Sequence, residues 1–200
     1  MPYIGTQPND VKKNTGLYTP SEILQLTKEG SWGGSLELIE KKTVSGVSAI
    51  DFLDLKGTIY DTHLVEFNVK PSADTQNYIR FSNDGGTSFE SSNYQYASFI
   101  NDSASGSGEI KSNSSSQIYL NYGGGNETVE QHTAYYYFYN LGKAKFSTVS
   151  QQAVTGSSTG SVHTFIGGGC YRASDIINGI RFYPQNGNYT GDVSLYGVKQ

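Results

Sequence analysis

Three histidines, one cysteine and a scatter of aspartates are the side chains in this 200-residue sequence that could hold a metal or move a proton. Asp61 and His63 stand two apart, so a strand would turn both to one face and offer a pair of ligands. No HxH or HExxH spacing accompanies them, nor does any surround His132 or His163, so the three read as strand histidines at loop edges and no metal is expected. Cys170 follows the glycines 167–169, and no histidine-paired or cationic setting in the sequence activates its thiol. It reads as a small inert residue. Asp51, Asp54, Asp61 and Asp74 could supply the two carboxylates of a glycoside hydrolase, but their spacing pairs none of them, and scattered surface acids are the plainer reading. The glycine triplets 123–125 and 167–169 precede neither a helix nor a GKS or GKT, so they are not phosphate loops. Sequons at Asn101, Asn113, Asn126 and Asn188 are chance matches in an Asn/Ser-rich chain. The expectation is a protein with no catalytic residue and no cofactor.

Tyrosine is the residue type that stands out, with 16 in the chain. Tyr135, Tyr136, Tyr137 and Tyr139 crowd one strand on both faces, which points to a second covered surface and marks them as oligomer-interface candidates, with a homotrimer expected. Asn121, Tyr122 and Asn126 lie together in a glycine-rich polar stretch. A flat ring beside amides is what a sugar requires, for stacking and for hydrogen bonds to its hydroxyls, so these three are receptor or glycan candidates. The plainer readings are good strand formers and a solvated loop.

Composition narrows the classes. A formal charge of −4 with no basic stripe argues against nucleic acid. No run of 18 apolar residues predicts a membrane span, and no secretory leader is legible at the N-terminus, so synthesis and assembly in a cytoplasm are expected. A single cysteine leaves no internal disulfide framework.

The elements that must position these residues are mostly strands. In residues 176–198, Ile180 and Phe182 alternate with Arg181 and Tyr183, and Val193 and Leu195 with Ser194 and Tyr196; the Asn186–Gly187 pair between them predicts a hairpin closed by Pro184. Further strands are expected around residues 35–40, 48–52, 63–69, 77–82, 94–99, 117–120, 133–140, 143–149 and 161–165, with Ile50, Phe52, Val65, Phe67, Val69, Ile79 and Phe81 inward. Residues 83–86, AsnAspGlyGly, form the clearest turn, while 102–116 and 121–131 read as polar loops suited to recognition. One helix is expected over about residues 20–29, with Thr19 as N-cap, Pro20 at the first position, Glu22 closing a capping box and Gly30 as the stop. Some nine or ten strands at this cadence suit a two-sheet antiparallel sandwich of jelly-roll or Greek-key type. The division expected is an N-terminal arm with its helix over 1–32 and a sandwich over 33–200.

Two blocks carry a resemblance. TyrIleGlyThrGlnProAsnAspVal (3–11) resembles the YIG-x-x-P opener of many phage virion proteins, especially tail-fibre proteins of marine, cyanophage-like tailed phages. IleAsnGlyIleArgPhe (177–182), GlyAsn (187–188) and SerLeuTyrGlyVal (194–198) resemble the ending of such structural proteins. The resemblance spans about a quarter of the chain. It implies a non-enzymatic virion component, docked on other virion proteins through Tyr3, Ile4 and Pro8, with a projecting sandwich for attachment to a host-surface glycan or protein. Its alternatives are a capsid decoration or cement protein and a carbohydrate-binding module of a bacterial glycan-active system.

Overall fold

The computed structural model describes residues 19–28, 36–157 and 160–199, and the chain divides into two compact units, residues 1–36 and 37–200. In the first unit the described part is the helix α1 (Pro20–Lys28). Its start is the predicted capping box: the Glu22 amide donates to Thr19 Oγ1 at 3.3 Å, and the Thr19 amide to Glu22 Oε2 at 2.7 Å. Glu29, Gly30 and the docking candidates Tyr3, Ile4 and Pro8 lie outside the described residues.

The second unit is an antiparallel β-sandwich of twelve strands: β1 (Leu36–Val47), β2 (Ile50–Phe52), β3 (Thr62–Pro71), β4 (Thr75–Ser82), β5 (Tyr94–Asp102), β6 (Gly106–Ser115), β7 (Ile118–Gly124), β8 (His132–Tyr139), β9 (Ser147–Gly156), β10 (Val162–Tyr171), β11 (Gly179–Pro184) and β12 (Tyr189–Val198). An eight-stranded sheet runs β1-β12-β3-β8-β9-β10-β5-β6, and a four-stranded sheet runs β2-β11-β4-β7. Each inner face is apolar because side chains alternate along a strand. Ile50, Phe52, Val65, Phe67, Val69, Ile79, Phe81, Ile180, Phe182, Val193 and Leu195 are all buried, as their alternation predicts. Phe67 lies at the centre, 5.1 Å from the Phe182 ring and edge-on to Tyr136 and Tyr189 at 5.8 and 5.6 Å. Such aromatic pairs prefer tilted or edge-to-face arrangements.

Two expectations are corrected. The C-terminal strands do not pair with each other: β11 lies between β2 and β4, while β12 lies between β1 and β3 in the other sheet. The residues between them instead bond to the β3–β4 connection. Ser72 donates its amide to the Asn188 carbonyl at 2.8 Å, and the amides of Asn186 and Asn188 donate to Thr75 Oγ1 and Ser72 Oγ, each at 2.9 Å. Two crossings between layers thus run side by side, and Gly187 turns there with a φ of 77°. Residues 83–86 form the turn that their sequence predicts, with positive φ at Gly85 and Gly86, and it leads from β4 to β5 in the other sheet. Finally, the tract 102–116 is largely strand β6, which among the described residues pairs with β5 alone at the sheet edge. An edge strand needs little apolar content to pair, which hid it among serines and glycines.

Candidate binding face

The strand β8 is covered on one face and open on the other. His132, Ala134, Tyr136 and Phe138 point into the sandwich, whereas Tyr135 and Tyr137 are 49% and 40% exposed. Tyr136 is therefore a core residue and not an interface one; Tyr135, Tyr137 and Tyr139 stand on the outer face of the eight-stranded sheet.

Register spreads that face across the neighbouring strands. Tyr137 lies opposite Leu64 on β3 and Ser150 on β9; Ser150 is opposite Gly168 on β10, Gly168 opposite Ala97 on β5, and Ala97 opposite Lys111 on β6. The next row runs Glu66, Tyr135, Gln152, Ile166, Phe99 and Glu109. Large side chains thus flank a line of small ones, Ser150, Gly168 and Ala97, and the surface is recessed along it. One depression of about 380 Å³ is lined by Leu64, Tyr135, Tyr137, Ser150, Gln152 and Ile166. A second, of about 840 Å³, is bordered by Gln95, Ala97, Lys111, Asn113, Gly168 and Cys170. Ser150 of the first is the cross-strand partner of Gly168 in the second, so the two adjoin.

The polar groups here are mostly uncharged amides and hydroxyls. Gln95 Nε2 donates to the Asn113 carbonyl at 2.7 Å. Lys111 and Glu109 pair at 2.6 Å on the exposed rim, and each holds the other in its charged form. Burial pushes the Cys170 thiol up while Arg172 pulls it the other way; the net rise keeps the thiol protonated at neutral pH, so it is no ready nucleophile. Arg172, two residues on, is thus a cationic neighbour where none was expected.

The outer face of the four-stranded sheet is also aromatic, but its groups are bonded to one another. Arg181 donates from Nε and Nη2 to the two carboxylate oxygens of Asp51 at 2.8 and 2.7 Å, with its guanidinium 3.8 Å over the Phe89 ring. Arg80 bonds the Ser116 carbonyl and Gln117 Oε1, and the Tyr183 hydroxyl donates to the same Gln117 oxygen at 2.8 Å.

The other sequence candidates disperse. Asn121 is fully buried: its Oδ1 accepts from the amide nitrogen and Nδ2 of Asn77 at 3.0 and 2.6 Å, so it belongs to the core and is corrected as a receptor residue. The Tyr122 side chain lies outside the described residues. Asn126 is half-buried and donates to the Ser72 carbonyl at 3.3 Å. His63 faces the interior with its Nε2 2.5 Å from the Leu55 carbonyl, whereas the Asp61 carboxylate pairs with Lys143 at 2.9 Å, so the two do not act as a pair of ligands. His163 sits 3.3 Å from Asp102. Asp51 is tied to Arg181 and Asp54 to Lys56, in separate places. Ser150, Gln152, Ile166 and Gly168 were missed. The signal available was a glycine run inside a strand of good β-formers, which marks a place where something approaches the backbone closely. Among known proteins, no family model matches the chain, and no curated protein matches it.

Proposed function

We propose that this chain is a non-enzymatic structural protein of a phage virion, a projecting part such as a tail fibre that docks by its N-terminal arm and presents the sandwich for adhesion to the host surface. The observation that carries the adhesive part is the outer face of the eight-stranded sheet, where Tyr135 and Tyr137 on β8, Ile166 on β10 and Phe99 on β5 are each at least 40% exposed. A patch of that kind, rimmed by polar groups, is characteristic of an interaction surface. A rigid sheet also holds such rings at fixed spacing at little entropic cost, which suits repeated weak contacts on a cell surface. The virion part rests on the resemblance of the two terminal blocks. The test is to deplete the particles of this chain by deleting residues 2–16. The shortened protein should remain folded and soluble but be missing from purified particles, and particles without it should adsorb poorly. Normal incorporation of the shortened chain would remove the arm as the anchor, and absence of the intact chain from purified particles would overturn the virion reading.

A further inference from the structure

We infer that the two adjoining depressions form one trough that takes an uncharged, extended glycan chain, with Tyr135 and Tyr137 as the stacking wall and Ser150, Gln152, Gln95 and Asn113 as hydrogen-bonding groups. The inference rests on the adhesion reading and names the ligand class of that surface. Its first support is shape. The floor is Ser150, Gly168 and Ala97, three small residues paired in line across β9, β10 and β5, so a narrow ligand can lie against the backbone. From Tyr137 on β8 to Lys111 on β6 the recess crosses four strand spacings, roughly 19 Å, the length of a few sugar rings. Its depressions, about 380 and 840 Å³, fall within the range of ligand sites.

The second support is chemistry. Sugar rings offer an apolar face and a rim of hydroxyls, and the trough offers flat rings on one flank with amides and hydroxyls along the floor and the far flank. Charge sets the preference for a neutral chain. Lys111 is already paired with Glu109, the Arg172 guanidinium beside Cys170 lies over the Phe146 ring, and Glu66 is the cross-strand partner of Tyr135, so an acidic glycan would meet a carboxylate at one end of the row. A second copy of the protein fits less well. Across a two-fold axis the recess would face its own image and leave a void where an interface needs close packing.

The test uses the full-length chain in affinity electrophoresis through gels containing dextran, mannan, xylan or galactan. At least one of these neutral polysaccharides should retard the protein. The same polysaccharide should slow maleimide labelling of Cys170, the chain's single cysteine, which borders the trough. Tyr137→Ala and Ser150→Arg should each weaken retardation at least tenfold with the far-ultraviolet circular dichroism unchanged, and Gln152→Ala should do so where Tyr137→Ala perturbs the fold. No retardation by any of the four, or retardation indifferent to these substitutions, overturns the trough. Sedimentation as a trimer that Tyr137→Ala dissociates also overturns it, by assigning the face to self-association. Particles that contain the Tyr137→Ala chain and adsorb normally discard the trough while the virion placement stands, so its failure is separable from that of the wider reading.

Discussion

The side-chain amide of Asn121 donates to Nδ1 of His132 at 2.7 Å, in a place that solvent does not reach. Because Asn121 Oδ1 already accepts from Asn77, its NH₂ is the group facing the ring, and His132 must be neutral with its proton on Nε2. That proton is donated toward the Tyr136 hydroxyl at 2.9 Å, while the Tyr189 hydroxyl donates to Asn77 Oδ1. One directed chain of hydrogen bonds therefore links β12, β4, β7 and β8 across both sheets. Removing a link leaves buried partners unsatisfied. Asn121→Ala is expected to cost about 2–4 kcal/mol in guanidinium unfolding. A loss below about 1 kcal/mol would mean that water or a shifted side chain replaces the amide.

The same chain predicts acid sensitivity. Burial pushes His132 down to about 3, and burial also lowers His63, whose Nε2 faces the Leu55 carbonyl. In both cases the unfolded state binds the proton more readily than the native state. The stability they contribute is thus present above the unfolded value near 6.5 and falls as pH drops below it, for His132 down toward 3. Between pH 6 and 4.5, His132 should contribute a slope of up to about 1.4 kcal/mol per pH unit, and His63 should add to it in the same direction. Unfolding free energies flat over that interval would show that neither ring resists protonation. His132→Gln should be less stable at pH 7 but show a shallower slope.

Gly167 is needed for a different reason. Gln151 and Ser98 are its cross-strand partners on either side, and Gln151 Nε2 donates to Ser98 Oγ at 2.7 Å over the space where Gly167 has no side chain. A Cβ there would meet the Ala97 carbonyl oxygen and come within 2.6 Å of Ser98 Oγ. Gly167→Val should destabilise the sandwich by about 2–4 kcal/mol, measured as a shift in the denaturation midpoint at constant slope. If the valine variant is as stable as the parent, the strand yields at no cost and the bridge is dispensable.

Arg181 and Asp51 form a partly exposed pair, so solvent screening keeps its value small. Arg181→Lys should still lose about 0.5–1 kcal/mol, because an ammonium reproduces neither the two-pronged contact nor the stacking on Phe89. A fall that vanishes in 1 M salt would assign the effect to charge alone, and one that persists would assign it to the planar contacts.

Asp84 caps the β4–β5 crossing. It accepts from the Ser88 amide at 3.0 Å and the Ser88 hydroxyl at 2.6 Å, and these bonds hold its carboxyl at about 2. Asp84→Ala should loosen residues 83–90 first, visible as faster amide exchange at Ser88 with little change in the core. Unchanged exchange there would place the stability of the crossing in the glycine turn instead.

Much of this architecture is written in local pattern. Period-two alternation placed Ile50 and Phe52, Val65 to Val69, Ile79 and Phe81, Ile180 and Phe182, and Val193 and Leu195 on buried faces, because a strand turns alternate side chains to opposite sides whatever its partner. Thr19, Pro20 and Glu22 specified the start of α1 for the same reason: a cap is made by residues within one turn of each other. Partnership is not local. Nothing in residues 176–198 distinguishes a hairpin from two strands in separate layers, since the alternation is identical and only Ser72 and Thr75, more than a hundred positions away in sequence, claim the backbone of the connection. The same holds for the surface. Asn121 and Tyr136 looked like site residues by type, yet the register of β7 and β8 turned both inward, where their polar atoms complete a buried network. The trough exists only because β9, β10 and β5 are aligned so that Ser150, Gly168 and Ala97 meet in one row. Residue type and spacing decided which side chains share a strand face; the pairing of distant strands, set by how both sheets close over Phe67 and Phe182, decided which of those faces meets solvent.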